Sequence, residues 1–227
     1  MRTSLSSLSR LRRTICLLAL ATPVAASAQQ AVTPSPSYLL RPARVFDGTG
    51  QAPQAGVVVL VQNGRITAVG APATVKAPSD AITVDLPGMT LMPGMIDLHS
   101  HVLLHPYNET NWNDQVLKEA LGLRVARATV HMQRTLRAGF TTLRDLGTEG
   151  AADTDVGLKR AVDQGIIEGP RLIVVTRAIV MKGTYGPSGF APEVDVPQGA
   201  EEAGGPEELA RVVRDQIRRG ADYGTAK

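Results

Sequence analysis

The sequence has 227 residues, of which 24 are Lys or Arg, 21 are Asp or Glu and one is Cys. Residues 1–28 hold four of the basic side chains and no acidic one, so the remaining 199 residues, with 20 basic and 21 acidic side chains, carry a net charge of −1. This balance gives no electrostatic basis for a nucleic-acid partner, and the single Cys excludes a disulfide bond within the chain.

The first 28 residues have the organisation of a secretory signal peptide. Four arginines precede a short apolar run over residues 15–21, and Ala-Ser-Ala at 26–28 fits a cleavage site. A membrane anchor is the alternative, but the apolar run is well short of the roughly 20 residues that span a bilayer. The sequence therefore predicts an exported protein, periplasmic or secreted, with no membrane partner once residues 1–28 are removed. Residues 29–37 are polar and Pro-rich and are predicted to be a flexible lead-in.

Residues 38–90 have the pattern of a small β module. Strands are predicted over residues 39–46, 57–62, 65–69 and 81–86. The second and third of these strands flank Asn63-Gly64, a dipeptide that favours the positive φ angles of a type I′ hairpin turn.

From residue 91 onward, predicted strands alternate with amphipathic helices. A strand over residues 91–98 precedes a helix whose apolar residues recur at helical spacing, at Leu117, Leu121, Val125, Ala128, Met132 and Leu136. After this helix the sequence predicts strands over 141–146 and 172–175, a helix over 154–167 and a long Gly- and Pro-rich loop over 180–205. Pro206 begins another helix that ends at Gly220, and a fourth strand is expected in residues 221–227.

This order of strands and helices predicts a parallel sheet and the α/β class. Three complete units and a fourth strand are too few to close an eight-stranded barrel, so we expect residues 91–227 to form the first half of a truncated (β/α)8 barrel. A complete open sheet of four strands is the alternative. A dinucleotide site is not predicted, because the glycines that would cradle phosphate groups are missing.

Two histidines stand at the end of the first strand of this series. Alternate residues of a strand face the same way, so His99 and His101 project together, about 6.5 to 7 Å apart, and Asp97 shares their face. Ile96 and Leu98 are then expected to face the helices. Two imidazoles on one face can chelate a single cation, and inward-facing residues at strand ends form the catalytic layer of a parallel barrel.

The segment Pro-Gly-Met-Ile-Asp-Leu-His-Ser-His at residues 93–101 resembles the first barrel strand of the amidohydrolase superfamily, where such a stretch follows a small β-sandwich domain. Thr-Thr-Leu-Arg-Asp-Leu-Gly at 141–147 and Gly-Ala-Asp-Tyr at 220–223 are similar to the branch of imidazolonepropionase-related and prolidase-like hydrolases. The resemblance covers residues 38–223. It implies that residues 38–90 are part of a β-sandwich domain and that residues 91–227 begin a metal-dependent hydrolase barrel.

The resemblance implies a divalent metal site, most often of one or two zinc ions, with His99 and His101 as ligands. It also implies that water activated by the metal hydrolyses a C–N bond in a small amide, a cyclic amide or a dipeptide. The carboxylated lysine that bridges two metals in this branch would stand two residues before Lys227, so Lys227 is not expected to be that bridge.

The number of ligands limits what these residues are expected to do. Two histidines are fewer than the three protein ligands that catalytic zinc usually has, and the sequence identifies no catalytic acid or base. It therefore predicts that the 227 residues alone do not turn over substrate. The alternative to a hydrolase is a truncated, non-catalytic remnant with at most weak metal binding. The sequence leaves an oligomer open.

Further residues of the predicted loops have two possible roles. Four of them follow the first strand and either contact substrate or belong to a solvated or packing loop: His105, Tyr107, Asn108 and Trp112. Tyr185, in the loop after the third strand, has the same two alternatives. The sequence also predicts that His131 lies on a helix surface and that Arg144 and Asp145 form a structural ion pair.

Overall fold

The computed structural model describes residues 35–224. Residues 1–34 and 225–227 lie outside this range, and with them the predicted signal peptide, most of the lead-in and Lys227. The described chain divides into two compact units, the first of residues 35–41 and 58–85 and the second of residues 42–57 and 86–224. Within the described range, no helix combines the length and the apolar character needed to cross a bilayer.

The N-terminal part of the described chain contains the strands β1 (Tyr38–Val45), β2 (Gln54–Ala55), β3 (Val58–Gln62), β4 (Arg65–Gly70) and β5 (Ile82–Leu91). In the first unit, β3 pairs with β1 on one side and with β4 on the other, both antiparallel. Asn63 and Gly64 have φ angles of 51° and 71°, which confirms the predicted turn between β3 and β4.

Among the strands β1 to β5, β2 was not predicted from the sequence and β5 is longer than predicted. β5 continues to Leu91, whereas the sequence predicted a strand that ends at residue 86. The extension runs through Pro87-Gly88, a pair that usually interrupts a strand because Pro lacks an N–H donor. In the first unit, β1, β3 and β4 belong to one sheet, so the β-sandwich stays a prediction.

The second unit contains a parallel three-stranded sheet. Its strands are β6 (Met95–Ser100), β7 (Phe140–Asp145) and β8 (Arg171–Ile173), in that order across the sheet. The helices between them are α1 (Trp112–Leu117), α2 (Leu121–Arg137) and α3 (Thr154–Asp163). This arrangement confirms the mixed α/β class, and three adjacent parallel strands with intervening helices are compatible with part of a barrel.

The single helix predicted after the first strand is wrong, because the chain forms α1 and α2 instead. Ala120, between the two helices, has the extended angles φ −61° and ψ 140°, through which no helix can continue. The predicted apolar stripe is interrupted at the same place. Leu121 is 46% exposed, whereas Ala128 and Met132 are buried.

The main core of the second unit lies between the parallel sheet and the helices α2 and α3. Leu143 of β7 and Leu172 of β8 pack there with Met132, and all three are almost completely buried. Ile96 and Leu98 of β6 were predicted to face helices but are 58% and 62% exposed. In the described residues, α2 packs chiefly against β7 and α3 against β8.

The loop predicted over residues 180–205 contains two short strands, β9 (Ile179–Met181) and β10 (Glu201–Ala203), which pair in parallel. Beyond them α4 (Pro206–Arg219) ends at Gly220, whose φ of 111° lies in the left-handed region, and this confirms the predicted start and end. Residues 221–224 contain no strand, and the rest of the predicted fourth strand lies outside the described residues.

Candidate metal site at the strand ends

The two histidines predicted to bind a metal are neighbours in the structure. His99 lies on β6, and His101 is the first residue after this strand. Their ring centroids are 5.3 Å apart, with the ring planes at 68°. The side chain of Asp97 turns to the backbone instead, because its Oδ1 accepts a hydrogen bond from the N–H of His99 at 3.0 Å. Asp97 therefore stabilises the end of the strand next to the histidine pair.

The imidazole of His101 is held through Nδ1. This atom lies 2.8 Å from the carbonyl oxygen of Gly147 and 3.6 Å from Oε1 of Glu149. A carbonyl oxygen can only accept a hydrogen bond, so the contact requires a proton on Nδ1 and places the lone pair of the neutral ring on Nε2. A ring fixed in this tautomer fits coordination of a metal through Nε2.

The turn after β7 reaches His101 because a buried carboxylate fixes it. The side chain of Asp145 accepts hydrogen bonds from the N–H of Gly147 at 2.9 Å and from the N–H of Val102 at 3.2 Å. Since Val102 follows His101 in the chain, Asp145 ties the ends of β6 and β7 together. Burial raises the pKa of Asp145 well above its usual range, and the nearby charge of Asp155 raises it further.

Glu149, in the same turn, is the residue near the site that the sequence did not reveal. It is 1% exposed, and its Oε2 accepts hydrogen bonds from Nε1 of Trp112 at 2.9 Å and from the hydroxyl of Tyr185 at 2.6 Å. The rings of Trp112 and Tyr185 also meet edge to face, 5.4 Å apart. An isolated Glu in a Gly-rich turn has the pattern of a solvent-exposed loop, so no sequence signal distinguished it.

The other loop residues singled out in the sequence lie in different environments. His105 is buried and packs the loop, with Nδ1 3.1 Å from Oε2 of Glu109 and Nε2 2.9 Å from Oε1 of Glu119. Tyr107 and Asn108 are exposed. Trp112 and Tyr185, by contrast, join the cluster around Glu149.

The predicted ion pair of Arg144 with Asp145 is wrong, because the two side chains have different partners. Nε of Arg144 donates to the hydroxyl of Tyr223 at 2.7 Å, and that hydroxyl donates to the carbonyl oxygen of Asp145 at 3.1 Å. His131 is half-buried on α2 and lines a surface depression next to His101. Burial and the charge of the neighbouring Arg134 lower the pKa of His131.

The described residues supply only part of a metal site. Within residues 35–224, no group of three or more His, Cys, Asp and Glu side chains is arranged to hold a metal ion. His99 and His101 fit two ligand positions by their proximity and by the tautomer of His101. A catalytic zinc site would need at least one further protein ligand.

Comparison with known proteins assigns one stretch of the chain to a family, and this stretch contains β6, the turn after β7 and the helices α1 to α4. The Amidohydrolase family matches residues 90–223, which are more than half of the chain. A dihydroorotase of Syntrophus aciditrophicus (strain SB) is 39% identical over 64 residues, which are 28% of this chain and 15% of the dihydroorotase.

Solved structures agree with this match. A crystal structure of an amidohydrolase is 31% identical with a TM-score of 0.65, and the match covers 84% of this chain and 46% of that chain. A prolidase complexed with N-methylphosphonate-L-proline is 26% identical with a TM-score of 0.69 and the same two shares. The chain thus spans less than half the length of either structure. The resemblance at residues 93–101 is confirmed, and the chain belongs to the amidohydrolase family.

Proposed function

We propose that the chain provides two metal ligands, His99 and His101, of a metal-dependent hydrolase that cleaves a C–N bond. The observation that carries this proposal is the pairing of the two imidazoles at the end of the first parallel strand, inside the segment that matches the family. The carboxyl ends of parallel strands are where barrel enzymes assemble their catalytic groups. Both imidazoles therefore stand where a catalytic metal is expected.

Zinc is the metal that we propose for this pair of ligands. Imidazole nitrogen is a common ligand of zinc, and the contact of Nδ1 of His101 with the carbonyl oxygen of Gly147 leaves Nε2 in the form that coordinates. When bound, a divalent metal would lower the pKa of water and polarise a carbonyl group. The chain's own contribution is to orient His101, through Gly147 and through the carboxylate of Asp145 that fixes the turn.

Small amides, cyclic amides or peptide-like molecules are the proposed substrates. The relatives that support this class are the prolidase and the dihydroorotase. A surface depression next to His101, lined in part by Leu104, Pro106 and Tyr107, offers a place for a small molecule beside the histidine pair. Export of the protein, predicted from residues 1–28, is part of the same proposal.

Hydrolysis of a panel of dipeptides, N-acyl amino acids and cyclic amides by the purified chain tests this function. Because the described residues supply two ligands, we expect the 227 residues alone to bind zinc through His99 and His101 without turnover, whereas the non-catalytic alternative predicts at most weak zinc binding. Hydrolysis that a chelator abolishes and zinc restores would support the hydrolase in full. Hydrolysis that persists unchanged in the chelator would contradict a metal-dependent mechanism.

A further inference from the structure

We propose that Glu149 is a positioning residue that acts together with the carbonyl oxygen of Gly147 to hold the proton on Nδ1 of His101 and to orient the ring. The carboxylate lies beside Nδ1 of His101, and the carbonyl oxygen of Gly147 contacts the same ring atom. The tautomer can be measured without a metal, whereas the consequence for metal affinity rests on the proposed function of His101 as a ligand.

The backbone on both sides of Glu149 is pinned. The N–H of Thr148 donates to the carbonyl oxygen of Thr176 at 2.9 Å, and the N–H of Gly150 donates to that of Gly199 at 2.9 Å. Nη2 of the buried Arg124 donates to the carbonyl oxygen of Thr148, also at 2.9 Å. These contacts hold Glu149 at a φ of 50°, a left-handed conformation that a residue with a Cβ adopts at a cost and that its surroundings must enforce.

The carboxylate of Glu149 is oriented as firmly as its backbone. Oε2 accepts from Trp112 and Tyr185, which come from α1 and from the loop after β9, and this directs Oε1 toward Nδ1 of His101 at 3.6 Å. Burial, followed by the hydrogen bond to Glu149, raises the pKa of Tyr185, so the phenol keeps the proton that it donates.

The choice of Glu over Gln at this position indicates a role beyond anchoring two aromatic side chains. The oxygen of a Gln amide could accept from Trp112 and Tyr185 as the carboxylate does, without the cost of a buried charge. What the carboxylate adds is a second oxygen that can only accept. This oxygen lies beside Nδ1 of His101 and favours a proton on that nitrogen. The NH₂ group of a Gln amide is itself a donor, so it would favour the tautomer in which Nδ1 carries no proton. A carboxylate next to a ligand histidine commonly fixes the ring and strengthens it as a ligand.

Nitrogen NMR of the metal-free full chain with ¹⁵N-labelled histidine tests the proposal, since the chain has only four histidines and each can be assigned by a His→Ala variant. Above the pH at which the rings titrate, we expect the signals of the Nδ1–H tautomer for His101. In Glu149→Gln the contact with Gly147 remains but the electrostatic contact with Oε1 is lost, so we expect the signals to shift part of the way toward the Nε2–H tautomer and zinc affinity to fall by about 10- to 100-fold.

Glu119→Gln is the matched control, because Glu119 contacts a different histidine, the buried His105. This variant should move the signals of His105 and leave those of His101 unchanged. If Glu149→Gln does not fold, Tyr185→Phe removes one donor from Oε2 and should move the His101 signals in the same direction by a smaller amount. Unchanged His101 signals in the folded Glu149→Gln variant, or in Tyr185→Phe where Glu149→Gln does not fold, would overturn the proposal.

The two proposals fail in distinguishable ways. If His101→Ala leaves zinc affinity unchanged while Glu149→Gln still shifts the tautomer, the ligand role of His101 is wrong and the positioning role of Glu149 stands. If His101→Ala abolishes zinc binding while Glu149→Gln changes neither the tautomer nor the affinity, the ligand role stands and the positioning role is wrong.

Discussion

Buried carboxylates hold the strand ends, and Asp155 shows what this costs at the scale of a single residue. Its side chain is completely buried and accepts hydrogen bonds from the N–H groups of Val156 at 2.9 Å and Thr176 at 2.8 Å. Burial raises the pKa of Asp155 from its ordinary value of 3.8 to about 6, because the hydrogen bonds only partly offset the loss of water.

This pKa predicts a pH dependence of stability. The folded chain binds the Asp155 proton more tightly than the unfolded chain does, so the stabilisation is fully present below about pH 4 and is lost as the pH rises through about 6. From about pH 3.5 to about pH 7, the free energy of unfolding of the wild type relative to Asp155→Asn should fall by about 2 to 3 kcal/mol. Urea unfolding of both proteins across this range measures it. A difference that stays constant, or that grows with pH, would show that the Asp155 pKa is not raised.

Sequence spacing was sufficient for His99 and His101 because strand geometry alone brings alternate residues together. Sequence spacing could not predict the position of Glu149 next to His101. Its role depends on contacts with Trp112 and Tyr185, which are 37 and 36 residues away along the chain and become neighbours only in the folded structure. The predicted ion pair of Arg144 with Asp145 was wrong for the opposite reason. The two residues are adjacent in sequence, but on the strand their side chains contact different partners.

Among the elements, a glycine inside α3 and a glycine directly after α4 have opposite effects on stability. Gly157 lies inside α3, where an added Cβ would meet nothing within 4 Å. Gly220 ends α4 at a φ of 111°, where an added Cβ would lie 2.9 Å from Cγ1 of Val156. Gly157 therefore lowers the stability of α3, and no close contact requires a glycine there. Gly220 is required because α4 ends in a left-handed conformation.

Substitution by alanine should separate these roles. We expect Gly157→Ala to raise the free energy of unfolding by about 0.5 to 1 kcal/mol and Gly220→Ala to lower it by about 1 to 2 kcal/mol. Thermal and urea unfolding of the two variants check the signs. Stabilisation by Gly220→Ala would mean that α4 does not end in a left-handed residue.

The elements that the sequence predicted well have strong local signals. α4 begins with Pro206 and ends with Gly220, and the turn between β3 and β4 carries Asn63-Gly64. β9 and β10 were missed because each has three residues within a Gly- and Pro-rich stretch and is fixed by pairing with the other. The break between α1 and α2 was missed because helical spacing of apolar residues continues across it.

At the scale of the whole molecule, the described residues contain part of the proposed metal site. His99 and His101 lie at the carboxyl end of the first strand of the parallel sheet, inside the segment that matches the family, and the chain spans less than half the length of the solved relatives. Exposure of Ile96 and Leu98 also follows from this level of organisation, because which helix covers a strand is decided by neighbours and not by the pattern of the strand itself.

The most direct test of the central claim is zinc affinity, measured by competition with a chromophoric chelator. We compare the wild type, a variant with both His99→Ala and His101→Ala, and the control His131→Ala, which removes a half-buried histidine next to the same depression. We predict that the double variant loses at least about 100-fold in affinity, whereas His131→Ala stays within about threefold of the wild type. Equal zinc affinity of the double variant and the wild type would contradict the assignment of His99 and His101 as metal ligands.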